Sequence, residues 1–155
     1  MTHKYGAKPV YYNPKTDTAY GVIAVTAKEW KHNGGLYFPS TLEYETFRAI
    51  RAWFAYRKIQ HRIELQHTLT ILPATKSIKA ITWCVDFKID YKLDLLDPIP
   101  TTLYIEAKGI EMDDYKLKMN LLSRFHPGIL SHVRVIRNSR NVDNVLNNTV
   151  GFSSR

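Results

Sequence analysis

An acid and a base stand two residues apart, Glu106 and Lys108, in the otherwise apolar run Leu103-Tyr-Ile-Glu-Ala-Lys-Gly109. Asp86 lies upstream and Glu43 further back, so three carboxylates and a lysine are candidates for one site. Hard carboxylate oxygens, completed by waters and phosphate oxygens, make the octahedral shell that magnesium demands. Beside such an ion a lysine can orient or help deprotonate an attacking water, while the ion lowers that water's pKa and stabilises charge growing at phosphorus. Glu43 could serve a second metal or hold a water. Simpler roles exist for each. Glu43 is also the N3 residue of a capping box begun by Ser40. Glu106 and Lys108 could be an exposed cross-strand pair contributing only about 0.2–1 kcal/mol. Asp90 shares a strand face with Asp86 and competes with it as a ligand.

The elements that must position these groups follow from periodicity. Ser40-Thr-Leu-Glu43 opens a helix running to about Lys58, with Tyr44, Phe47, Ile50 and Phe54 at helical spacing. Strand alternation comes next. Ile63, Leu65, Leu69 and Ile71 face one way, with Glu64, Gln66, Thr68 and Thr70 opposite. Ile81, Trp83, Val85, Phe87, Ile89, Tyr91 and Leu93 form an unbroken apolar face, with Asp86 and Asp90 behind it. Leu103, Ile105 and Ala107 then face the core, which places Glu106 and Lys108 together on the other side, about 7 Å apart at ~3.3 Å per residue. Asp113-Asp114 begin a second helix, striped by Leu117, Leu121 and Phe125 and stopped at His126-Pro127-Gly128. Residues 131–137 predict a last strand. Before all this, turn signals around Gly21-Val-Ile-Ala-Val25 predict a short strand or hairpin, and the asparagine-rich tail from Asn138 reads as irregular. The expected architecture is α/β: an αβββαβ core over 38–137, with a central mixed sheet flanked by helices, an N-terminal β extension (1–37) and a polar tail (138–155), all one domain.

The chain has 155 residues, 45% of them apolar, which suits one domain. Its 22 Lys and Arg against 14 Asp and Glu leave a net charge of +8, favouring polyanionic partners. Arg48, Arg51, Arg57, Lys58, Lys116 and Lys118 are candidate phosphate contacts, with a plain solvated surface as the alternative. Lys116 is expected nearest the metal, because it follows the Glu106 strand by one loop and about one helical turn. One cysteine, Cys84, excludes an internal disulfide and a multi-thiolate zinc site. It is expected to pack near the site as a small side chain. The histidines read as core, strand or cap residues. Neither a signal-peptide core nor a membrane-length apolar run is present, and a cytoplasmic location, in a host cell if the chain is phage-encoded, is expected.

Asp86, a turn-rich insert and Glu106-Ala107-Lys108, between a helix bearing Glu43 and a following helix, resemble the PD-(D/E)xK nuclease superfamily. More narrowly, Lys4-Tyr5-Gly6, "FPSTLE" (38–43), "IELQ" (63–66), "VDF" (85–87) and "IEAKG" (105–109) resemble a family of small phage-encoded nuclease-like proteins similar to Holliday-junction resolvases. Coverage runs from about residue 36 to 137. Val85 stands where the superfamily's motif has proline, and the insert before Glu106 is long. The resemblance implies a restriction-endonuclease-like core and a magnesium- or manganese-dependent endonuclease. Glu43, Asp86 and Glu106 would be its metal ligands, Lys108 its catalytic lysine and Gln66 an accessory residue. It also implies branched DNA or a Holliday junction as substrate. Symmetrical junction cleavage needs two sites, so a homodimer is expected. The alternatives are a DNA-binding or structural phage protein that keeps the fold without turnover, and, ranked lower, an RNA-processing nuclease.

Overall fold

Strand alternation around Phe87 builds the centre of the molecule. The computed structural model describes residues 7–21, 23–109 and 113–151. From the N-terminus, β1 (Val10–Asn13), β2 (Thr18–Tyr20), α1 (Ala27–His32) and β3 (Leu36–Phe38) precede α2 (Thr41–Tyr56). Then come β4 (Gln60–Leu72), β5 (Ile81–Lys92), β6 (Thr101–Ala107), α3 (Asp113–Phe125), α4 (Pro127–Leu130), β7 (Val133–Ile136), a 3-10 turn (Ser139–Asn141) and α5 (Val142–Val150). The main sheet has the order β4-β5-β6-β7, antiparallel except for the parallel pair β6-β7, which α3 connects. The αβββαβ order and the mixed sheet flanked by helices are as the sequence predicts. The Lys4-Tyr5-Gly6 motif lies outside the described residues.

Phe47, Ile50, Trp53 and Phe54 bury one face of α2 against Phe87, Ile89, Leu103, Ile105 and Ile136. Each such side chain contributes about 1.5–3 kcal/mol through apolar burial. A second core gathers Ile71, Trp83 and Val85 around Tyr115 and Leu122 of α3. The apolar row of β5 is therefore divided between two cores rather than serving one, and Leu93 at its end is 57% exposed. The division falls at Gln66, whose φ of 51° is left-handed, where the β4-β5 ladder skips one pair between Leu65↔Phe87 and His67↔Val85. The left-handed residue interrupts the ladder without inserting an extra residue, since the register is the same on both sides of it. On α3 the stripe also differs from expectation: Tyr115 and Leu122 are buried, while Leu117 and Phe125 are 59% and 48% exposed. Tyr115 turns inward to close the second core, which rotates Leu117 out.

The tail is not irregular. Asn138 caps the 3-10 turn, and α5 buries Val142, Leu146 and Val150, spaced by four, in the first core. Asn147 Oδ1 accepts from Trp53 Nε1 at 3.0 Å and Arg57 Nη2 at 2.7 Å, and Arg134 Nε donates to Thr149 Oγ1 at 2.9 Å. Tertiary contacts override a composition that reads as polar. In the N-terminal extension the hairpin is β1-β2, not the stretch 21–25, whose described residues form no strand. Val10 and Tyr12 alternate inward onto α2, and Asp17 supplies a left-handed turn residue, φ 53°. Thr26 and Glu29 form a capping box that starts α1. Trp30 Nε1 donates to the carbonyls of Leu36 at 3.0 Å and Tyr12 at 3.3 Å, and its indole occupies the space a Cβ at position 35 would need, so Gly35 is required there.

Leu146→Ala is expected to destabilise the protein by about 2–5 kcal/mol, read as a lowered urea midpoint. An unchanged midpoint would mean that α5 is not part of the folded core.

Candidate functional site

The site lies where β5 and β6 stop pairing. Their ladder runs from Tyr91↔Thr101 to Phe87↔Ile105, and Asp86 and Glu106 come next on the two strands. Without a partner strand there, the Ala107 amide would be an orphan donor. It donates instead to Asp86 Oδ2 at 2.8 Å. Lys108 is held by its own backbone, whose N–H donates to Ile136 O at 2.9 Å. Its Nζ sits 3.5 Å from Glu106 Oε1 and 4.7 Å from the centre of the Tyr115 ring. Glu43 approaches from the first turn of α2. The capping box is half made: Ser40 Oγ accepts from the Glu43 amide at 3.2 Å, while the Glu43 carboxylate accepts from that hydroxyl at 2.9 Å rather than from the Ser40 amide. One carboxylate oxygen, Oε1, is thereby tied down.

Glu106 is 7% exposed; its Oε2 is buried with no donor within strict hydrogen-bond distance, although the Asp86 amide and the Trp83 indole both act on the carboxylate and work to lower its pKa. The Trp83 Nε1 is likewise buried, directed at Glu106 but beyond strict hydrogen-bond distance of any acceptor. Burial pushes the Asp86 carboxyl up to about 8, reinforced by the charges of Glu106 and Glu43 and opposed by the Ala107 amide and Lys108. Burial pushes Glu43 up to about 7, opposed by Ser40 and reinforced by Glu106. Glu106 is raised by burial too, with Lys108 as the largest opposing influence. Three carboxyls whose charged forms disfavour one another are stabilised by a cation among them. Among the described residues no three His, Cys, Asp or Glu side chains form a ready-made metal cage. Buried carboxylate oxygens of Glu106, Asp86 and Glu43 that share one field are the hard donors a divalent ion takes, and these are the residues that would hold one.

Asp90 is placed elsewhere: it accepts from Thr102 Oγ1 at 2.6 Å and meets Lys88 at 3.5 Å, in a network with Glu64. Gln66 lies in the skipped ladder position opposite Asp86, and its Oε1 accepts from Lys31 at 3.3 Å. The cationic set is dispersed. Arg51 is tied to the Tyr12 hydroxyl at 3.0 Å, and Arg57 stacks on Trp53 at 4.1 Å. Arg48 lies over the Tyr44 ring at 6.0 Å on the outer face of α2. Lys116, next to Tyr115, is 3.8 Å from Asp113 and exposed, and Lys118 is half-buried. Cys84 is exposed rather than packed; partial desolvation and the charges of Asp86, Glu106 and Glu43 raise its thiol pKa, leaving little thiolate. His61, His126 and His132 bond backbone carbonyls, as cap and core histidines do.

Sequence reasoning missed Trp83, Tyr115 and Lys31 as neighbours of the site. Only for Lys31 was there a usable signal, the Thr26-Ala-Lys-Glu29 capping box that starts its helix. Two concavities among the described residues, about 580 Å3 beside Tyr44 and Arg48 and about 690 Å3 along α1, are not lined by the carboxylates. Fold and site together define an α/β protein whose mixed sheet carries a buried cluster of like-charged carboxyls at a strand divergence. No protein-family model, curated protein or solved structure matches the chain. No helix among the described residues is long and apolar enough to cross a membrane.

Because the folded-state pKa of Asp86 is raised, the folded protein holds its proton to higher pH than the unfolded chain does. Metal-free stability should therefore fall as pH rises from about 4 to about 8. Asp86→Asn should flatten that decline and melt above the parent at pH 8 to 9. Melting curves without and with magnesium read this, and a parent whose stability rises over that range would contradict the cluster.

Proposed function

We propose that the chain is a divalent-metal-dependent endodeoxyribonuclease that hydrolyses DNA phosphodiester bonds, favouring branched substrates such as four-way junctions. The observation that carries this reading is the convergence of Asp86, Glu43 and Lys108 on the buried carboxylate of Glu106. Asp86, Glu106 and Glu43 would hold magnesium or manganese. When bound, such an ion supplies Lewis acidity toward a water and toward the phosphate.

The chain's own groups do the rest. The Ala107 amide fixes Asp86, and Ser40 fixes Glu43, so two of the carboxylates arrive pre-oriented. Lys108, confined between Glu106 and the Tyr115 ring, directs its N–H groups at the attacking water or at a phosphate oxygen. Water adds to phosphorus, one ester oxygen leaves with a proton, and the products are a phosphomonoester and a free hydroxyl. Arg48, Arg51, Lys116 and Lys118 lend charge to backbone contacts that carry no base readout. A small α/β core whose cations are dispersed over its surface favours selection by DNA shape over selection by sequence. Paired cuts across a junction need a homodimer.

Supercoiled, linear and four-way-junction DNA should be cut only with magnesium or manganese, the junction fastest. Asp86→Ala and Lys108→Ala should each slow cleavage by about 100-fold or more. Equal cleavage by the parent and both variants would remove the site assignment. Metal-independent binding without cleavage of any substrate would instead identify a DNA-binding protein.

A further inference from the structure

The N-terminal sheet carries a row of tyrosines on the face turned away from α2. The order is β2-β1-β3, and the registers Tyr11↔Tyr20 and Tyr11↔Tyr37 align the three rings across all its strands. The opposite face, Val10, Tyr12 and Phe38, is buried in the first core, so the tyrosine row is the outer one. Tyr20 is 41% exposed, and Tyr11 and Tyr37 are half-buried. Trp30 of α1 meets Tyr11 and Tyr20 edge-on, at 6.0 and 5.9 Å, and Tyr37 meets Tyr11 at 5.1 Å. One exposed cation flanks the rings: Lys31 stands 5.7 Å from the Tyr37 centroid, and Lys28 lies one turn earlier on α1.

This wall is joined to the carboxylates. Lys31 Nζ donates to Gln66, which occupies the ladder position opposite Asp86, and the charge of Glu43 is felt at the Tyr37 hydroxyl. The small sheet could have filled its outer face with aliphatic or charged residues. It presents instead partly exposed rings with Lys31 beside them, the pairing that holds unpaired nucleotides: bases stack on aromatic faces and phosphates meet the cation. The chain's net charge of +8 would attract any nucleic acid, but only rings discriminate for bases freed from a duplex.

We propose that the tyrosine row with Lys31 is a binding platform for a single-stranded DNA segment adjoining the phosphate at the carboxylate site. Tyr37 and Lys31 are its members nearest the chemistry. The inference rests on the nuclease reading for its location, and it narrows the substrate class to DNA with unpaired bases beside the cut, as at a branch point or flap.

Binding is tested separately from turnover. The full chain carrying Lys108→Ala is titrated with a fluorescein-labelled 12-mer oligo(dT) and with a blunt duplex of equal length, over a range of salt. The oligo(dT) should bind more tightly. Tyr37→Leu should weaken it about tenfold and Tyr37→Phe should not, since the ring is kept. Lys31→Ala, an exposed change, should weaken it and lower the slope of log K against log salt by about 0.7, the value for one single-strand phosphate contact. Thermal melts of each variant separate lost stacking from lost folding. Equal affinity for oligo(dT) and duplex, or unchanged oligo(dT) binding by both Tyr37→Leu and Lys31→Ala, would overturn the platform. Metal-dependent cleavage by the parent protein is scored alongside: if cleavage occurs while the variants bind normally, the platform alone fails. If the variants lose binding but the parent cuts no DNA, the nuclease reading fails and the platform stands.

Discussion

One hydrogen bond organises the site, the Ala107 amide donating to Asp86. A β-ladder that stops in the interior leaves donors without acceptors, and each buried orphan costs about 1–3 kcal/mol. Here a side chain from the neighbouring strand takes the place of the missing backbone carbonyl. The strands can then separate without penalty, and the gap between them receives Glu106, Lys108 and, from α2, Glu43. The same bond favours the ionised form of Asp86 in a setting that otherwise disfavours it. Burial and mutual repulsion leave a cluster that binds protons when no other cation is present.

The surrounding architecture serves this divergence. The first core fixes β5, β6 and β7 against α2 and α5, so the backbone around Glu106 is anchored from one side. The second core, around Trp83 and Tyr115, closes the other side and brings an aromatic ring under Lys108. One strand, β5, serves both, and the division falls where the left-handed residue Gln66 interrupts its ladder with β4.

Much of this was legible in the sequence, for a physical reason. Period-two alternation from Ile81 to Tyr91 and from Leu103 to Ala107 fixes which side chains share a face, and therefore that Asp86, Glu106 and Lys108 lie together. The Ser40 cap likewise locates Glu43, although the full capping box did not form, because the Ser40 hydroxyl rather than its amide holds the carboxylate. Alternation is blind to twist, so the division of β5 between two cores and the rotation of α3 were not readable. Nor was α5: Val142, Leu146 and Val150 are three apolar residues among asparagines, and they become helical by docking on α2 and β7. The N-terminal hairpin was misplaced because its strands are only four and three residues long, with their aromatic residues split between two faces.

The interruption at Gln66 also bears on how molecules of this protein meet one another. β4 is thirteen residues long and forms an open edge of the main sheet. A straight edge of that length offers its backbone to any passing strand and invites aggregation. The left-handed turn at Gln66 and the register slip between Thr70 and Leu72 break it into shorter, misaligned pieces. Charged Arg62 and Glu64 and the crossing Lys31 side chain further obstruct intermolecular pairing. The interruption at Gln66, beside the site, also makes the β4 edge a poor template for strand pairing between copies of the chain.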